Sequence, residues 1–132
     1  MLKWFRIVKR RVRRKPRTQS KRNKIALALH KEGAKELALS RLEHFNQFYN
    51  FKYNSVKIKS TKTRWGSCSS KGNLNFSYKI ALLPSHLVDY LIVHELCHLG
   101  EFNHSEDFWA LVAQTIPDFY EKRIELKKVH LN

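Results

Sequence analysis

Apolar residues recur at three- to five-residue steps from Ile25 through Leu29, Ala34, Leu37, Leu42 and Phe45 to Phe48 and Tyr49. That spacing predicts a helix over 25–49 with one face on a core, and Gly33 is its weak point. From Ser55 to Ser60 the period drops to two: Val56 and Ile58 alternate with Lys57 and Lys59, the pattern of a half-buried strand. Thr61 to Cys68 reads as a second strand, Ser69-Ser70-Lys71-Gly72-Asn73 as a turn, and Leu74 to Tyr78 as a third strand. Pro84 ends the apolar run Ile80-Ala81-Leu82-Leu83, and Ser85 is placed to cap the next helix.

That helix runs from about His86 to Leu99 and is apolar on a wide face, so it is expected to be buried. Gly100 is placed to end it. Ser105 opens another helix, with Glu106 and Asp107 in its first turn and Phe108, Trp109, Leu111, Val112 and Ile116 toward the core. After Pro117 a short last helix over 118–129 turns Tyr120, Ile124, Leu126 and Val129 inward and Lys122, Arg123, Lys127 and Lys128 outward. These elements make an α+β fold. A small antiparallel sheet of about three strands packs on a long N-terminal helix and the 86–99 helix, followed by C-terminal helices.

Charge divides the chain. Of 26 Lys and Arg in 132 residues, 13 fall in residues 1–31, which hold no acid. The remainder holds 13 basic and 11 acidic residues, a net +2 within a total of +15. The expected organisation is a basic arm over 1–24 and a folded domain over 25–132. The arm suits nucleic acid or an anionic surface, or serves as a solubilising tail. No apolar run is long enough to span a membrane. Residues 1–7 lack the pattern of a secretory signal; the Arg-rich, acid-free arm also reads as a transit peptide, though without the usual enrichment in serine. Two cysteines, Cys68 and Cys97, make no disulfide framework and fit a reduced, cytoplasmic setting.

The chemistry concentrates in His94-Glu95-Leu96-Cys97-His98 and the following Leu99 to His104. Residues four apart share a helix face, so His94 and His98 can address one zinc ion. Glu95 is rotated by about 100° from His94, beside the metal rather than on it. There it can act as general base on a zinc-activated water and return the proton to the leaving amine. His104, past the turn at Gly100, is the favoured third ligand. Glu101 is its rival, since on an unbroken helix it shares the ligand face; Glu106, Glu121 and Glu125 are more distant candidates. The competing structural readings are a hydrogen-bonded histidine pair or a closed structural zinc. The latter wants a fourth protein ligand and leaves Glu95 without a role.

Arg64-Trp65-Gly66-Ser67-Cys68-Ser69, His94-Glu95-Leu96-Cys97-His98, Asn103-His104-Ser105 and Phe108-Trp109, in that order, resemble the YgjP-like metal-dependent hydrolases. These are small zincin-type metallopeptidases related to the SprT and WLM groups. The resemblance covers roughly residues 55–125. It implies a zincin core, one Zn2+ at His94, His98 and His104, Glu95 as general base, and a peptide or protein substrate. The chain departs from the family at the front, where a basic arm stands in place of a strand-rich segment.

On the substrate side, Arg64 is a candidate for a peptide carboxylate or an oxyanion, against a structural ion pair with Glu101 or Asp89. The strand over 73–78, with Asn75 and Tyr78, is a candidate to pair with an extended peptide. Tyr78 and Tyr90 are possible transition-state donors. Trp65 reads as core, Gly66 as a bulge, and both cysteines as buried apolar residues. His30, His44, His86 and His130 show no ligand spacing. Two further classes stay open: a nucleic-acid-associated protease tethered by the arm, and a non-catalytic binding module with structural zinc.

Overall fold

Eight consecutive residues, Tyr90 to Cys97, are buried. A helix apolar on all sides has to be wrapped, and the rest of the chain wraps this one. The structure is a computed structural model that describes residues 17–61 and 63–131. The elements are α1 (Arg17–Tyr49), β1 (Ser55–Lys59), β2 (Gly66–Cys68), β3 (Asn73–Ser77), a short 3-10 helix (Tyr78–Leu82), α2 (Ser85–Cys97), α3 (Glu106–Ala113) and α4 (Phe119–Lys127). α2 is the buried helix. It packs against α1, β2, α3 and α4.

α1 begins at Arg17, well ahead of the expected start at Ile25. Residues 17–24 of the expected arm are therefore helical, and the expectation for residues 1–16 lies outside the described residues. The core face of α1 is Ala34, Ala38, Leu42 and Phe45. Two alanines in that face let α1 approach its neighbours closely. Ile25 and Leu29, expected inward, are 60% and 63% exposed. Arg41 on α1 grips Asp89 on α2 with two bonds, at 2.7 Å and 3.1 Å. A partly exposed pair of this kind contributes about 1 kcal/mol or less, so it fixes register more than stability.

The three strands form one sheet in the order β1-β3-β2. β2 and β3 are antiparallel, as expected of a hairpin, with Gly66 opposite Phe76 and Cys68 opposite Leu74. Gly72 closes the turn at φ 81°, a conformation that costs glycine little. The expected all-antiparallel sheet is corrected at the other pair: β1 runs parallel to β3, Val56 beside Leu74 and Ile58 beside Phe76. β3 is therefore central and has no free edge to offer a peptide. β2 is the edge strand on the α2 side.

Smaller differences follow from local geometry. Pro84, not Ser85, is the N-cap of α2, with no side-chain bond to the first turn. Ser105 caps α3 as expected, its hydroxyl accepting from Phe108 N. α4 is rotated from its expected phase: Leu126 is buried, while Tyr120 and Ile124 are 62% and 40% exposed. Among the described residues, no helix is long and apolar enough to cross a membrane.

Candidate metal centre

α2 places His94 and His98 one turn apart, and both are buried along with Glu95. The helix stops at Cys97, and the chain turns through Leu99 and Gly100, whose amides bond back to Leu96 and Cys97. Gly100 adopts no left-handed conformation. It is needed for space: a Cβ there would lie 2.7 Å from Phe51 Cζ. The turn carries Glu101 away and brings His104 back. His98 Nε2 and His104 Nε2 each lie 3.1 Å from His94 Nε2. Among the described residues these three histidines are the one group placed to hold a metal ion.

The donor set fits a tetrahedral cation. Nitrogens bound at 2.0–2.1 Å around such an ion lie roughly 3.3 Å apart, close to the spacing here. Each imidazole must turn a lone pair inward, and the outer nitrogens arrange this. His98 Nδ1 lies 3.0 Å from the Glu101 carbonyl. A carbonyl only accepts, so Nδ1 carries the proton and Nε2 the lone pair. The hydroxyl of Tyr90 stands 3.4 Å from His94 Nδ1. Tyr90, a candidate transition-state donor from sequence, lies on the outer side of His94, at its Nδ1. Burial, with its histidine neighbours adding to it, pushes His94 well below the usual imidazole pKa. Burial likewise lowers His98 to about 4 and lowers His104. All three are neutral at neutral pH, the state a metal requires.

α3 walls the cluster with aromatic rings. Phe108 stacks on His98 at 4.3 Å between centroids, and Trp109 lies nearly parallel to His104 at 5.8 Å. Trp109 also stacks on Phe119 of α4. The fourth side is β2. A Cβ on Gly66 would lie 3.2 Å from both Cγ and Oε2 of Glu95, and 3.1 Å from the Asn75 carbonyl. A methyl group at this position would press on the Glu95 carboxylate from one side and on the Asn75 carbonyl from the other. Gly66→Ala is expected to lower kcat by roughly 10²-fold, the scale of a misplaced catalytic group, with metal content unchanged. Wild-type turnover in that variant, measured beside its metal content, is the contrary result.

The substrate-side candidates are spread out. Arg64 and Asn75 line a cleft of about 180 Å³ with Trp65, Gly66 and Ser67. Asn75 is buried and donates to Ser67 Oγ. Tyr78 opens the 3-10 helix and faces His30 of α1. Asp89, one of the two acids expected opposite Arg64, is held by Arg41. Trp65 is core, as expected. Cys68 and Cys97 are buried free thiols, each pushed up to about 12 by burial, so both stay protonated at neutral pH. His30, His44, His86 and His130 are exposed. Sequence reasoning missed Arg123: expected outward on α4, it lies over the Trp109 ring, with Cζ 5.4 Å from the centroid.

A buried HExxH helix, an edge strand against its glutamate and a third histidine after the turn define a zincin-like metallopeptidase. The chain belongs to the YgjP-like family, whose metallopeptidase domain matches residues 2–129. Among solved structures it is similar to the metallopeptidase zymogen abylysin of Pyrococcus abyssi. Identity is 26%, covering 70% of this chain and 96% of that one, with a TM-score of 0.62. The zymogen jannalysin of Methanocaldococcus jannaschii, 23% identical, shares the fold, with a TM-score of 0.55 over 70% of this chain and 92% of that one. No curated protein matches the sequence.

Proposed function

We propose that the protein hydrolyses peptide bonds with one zinc ion held by His94, His98 and His104 and with Glu95 as general base. The observation that carries this is the set of three Nε2 atoms, the outer two each 3.1 Å from the His94 nitrogen. When bound, zinc supplies Lewis acidity, acidifying water and polarising a carbonyl. The chain's own residues do the remainder. His98 is held in ligand orientation by the Glu101 carbonyl, and the Tyr90 hydroxyl stands at the outer nitrogen of His94. Glu95, beside Gly66, takes a proton from the attacking water and delivers it to the departing nitrogen. Phe108 and Trp109 keep the surroundings dry, which strengthens each of these interactions.

Zinc is favoured over harder cations by the all-imidazole donor set. A peptide in extended form has β2 as its partner edge, the one of the two outer strands that lies against Glu95. Two buried free thiols suit a reducing compartment, the cytoplasm. Removing metal with a chelator is expected to abolish cleavage of a peptide library, and one equivalent of zinc to restore it. Cleavage that survives a chelated, zinc-free preparation, checked by metal analysis, contradicts the reading.

Tethering to nucleic acid is a second reading, favoured by Lys21, Arg22 and Lys24, which are exposed on the first turns of α1. Each phosphate contact contributes about 0.9 to the slope of log affinity against log salt on duplex DNA. Deleting residues 1–24 should flatten that slope and weaken DNA binding. Unchanged affinity across a salt series removes the tether and leaves the arm as a solubilising tail.

A further inference from the structure

The cations near the end of the chain are disposed unequally. Lys122 is paired with Asp118 at 2.9 Å, and Lys127 and Lys128 are exposed. Arg123 instead turns to the metal centre. Its Cζ lies 5.4 Å from the Trp109 centroid. That indole faces His94 and His104, with centroids 5.7 Å and 5.8 Å away. Arg123 Nε is buried and has no hydrogen-bond acceptor among the described residues. Two acids close to it in sequence are engaged elsewhere: Asp118 with Lys122, and Glu125 with His86 at 2.8 Å.

A buried guanidinium N–H without an acceptor is costly, and the aromatic face of Trp109 compensates only the charge, not the lost hydrogen bond. Nε itself is sealed from solvent, so it is the outer nitrogens of this half-buried side chain that can meet an oxygen acceptor. We propose that Arg123 is a catalytic residue, donating hydrogen bonds to the scissile carbonyl oxygen as that oxygen becomes negative. This rests on the metallopeptidase reading above. Water oxygen bonds to the carbonyl carbon, the C=O π pair moves onto the carbonyl oxygen, and the released proton goes to Glu95. Arg123 steadies the oxyanion. When the pair returns, the C–N bond breaks and the amine leaves with the proton from Glu95, giving one carboxylic acid and one amine. An arginine fork anchored on an aromatic ring is rigid enough to be aimed before charge develops.

The same guanidinium chemistry would hold a carboxylate of the peptide, so the test separates the two. The probe is the best-cleaved member of a peptide library blocked at both termini and free of Asp and Glu. With it goes its phosphinic analogue, whose anionic tetrahedral oxygen mimics the oxyanion. Wild type, Arg123→Gln and Arg123→Lys are compared as zinc-loaded full chains. Arg123→Gln is expected to lose about 10²-fold in kcat with little change in KM, and about as much in calorimetric affinity for the phosphinic peptide. Zinc content and Tm should stay at wild-type values, and Arg123→Lys should recover part of both losses. A loss confined to KM or to carboxylate-bearing peptides overturns the proposal in favour of substrate recognition. Loss of zinc or of the folded state in both variants overturns it in favour of a structural role. A wild-type protein that holds no zinc brings down the metallopeptidase reading itself, and this one with it.

Discussion

Glu95→Gln is expected to keep its zinc and lose its peptidase activity. Glutamine has the shape of glutamate, and the pocket at this position is tight. The side chain is fully buried and lies in contact range of the space a Gly66 Cβ would fill. A smaller residue would leave a hole, and a larger one would push β2. Glutamine does neither, and His94, His98 and His104 keep their places. What it lacks is the basicity to accept a proton from water and hand it to a departing nitrogen. Loss of a positioned base costs about 10²–10⁴-fold. Metal analysis, Tm and a peptide digest on one preparation make the comparison. Undiminished cleavage by the glutamine variant would sink Glu95 as base.

His104→Ala should release the metal, and Glu101→Ala should not. Structural zinc sites contribute about 10–16 kcal/mol across four ligands, so one ligand carries roughly 3 kcal/mol, on the order of 10²-fold in affinity. His104 brings a nitrogen to 3.1 Å from His94 Nε2. Glu101 contributes its backbone carbonyl to His98 Nδ1, and alanine keeps that carbonyl. Zinc titration against a competing chelator distinguishes the two variants. The reverse order of affinities would put the third ligand at Glu101.

The reach of the sequence follows the range of the interactions involved. The HExxH pair was legible because a helix turn fixes it within five residues, and the apolar residues around it said that the helix is buried. His104 was legible at one remove, through a turn after His98. Yet Gly100, singled out for that turn, is required by the ring of Phe51, a contact that no local pattern carries. The β2–β3 hairpin announced itself through Ser69 to Asn73. The parallel β1–β3 pair did not, because alternation records which face is buried and is silent on direction. The rotated α4 shows a different failure. Phe119, Arg123 and Leu126 share its inner side, and a pattern that sends every cation to solvent assigns Arg123 outward. The stem of an arginine covers apolar surface as readily as a leucine does, and its head goes where a charge is wanted.

α1 spans 33 residues, about 50 Å of helix, and among its described side chains the buried ones begin at Ala34. Along one unbroken ladder of hydrogen bonds, two stabilities therefore coexist. Amides after Ala34 open only when the core opens. Those near the start of α1, around exposed Ile25 and Leu29, depend mostly on helix propensity, which is marginal for a segment so short and so basic. A ligand that grips the first half freezes residues at an entropic cost of its own and leaves the opening energy of the metal-bearing core unchanged.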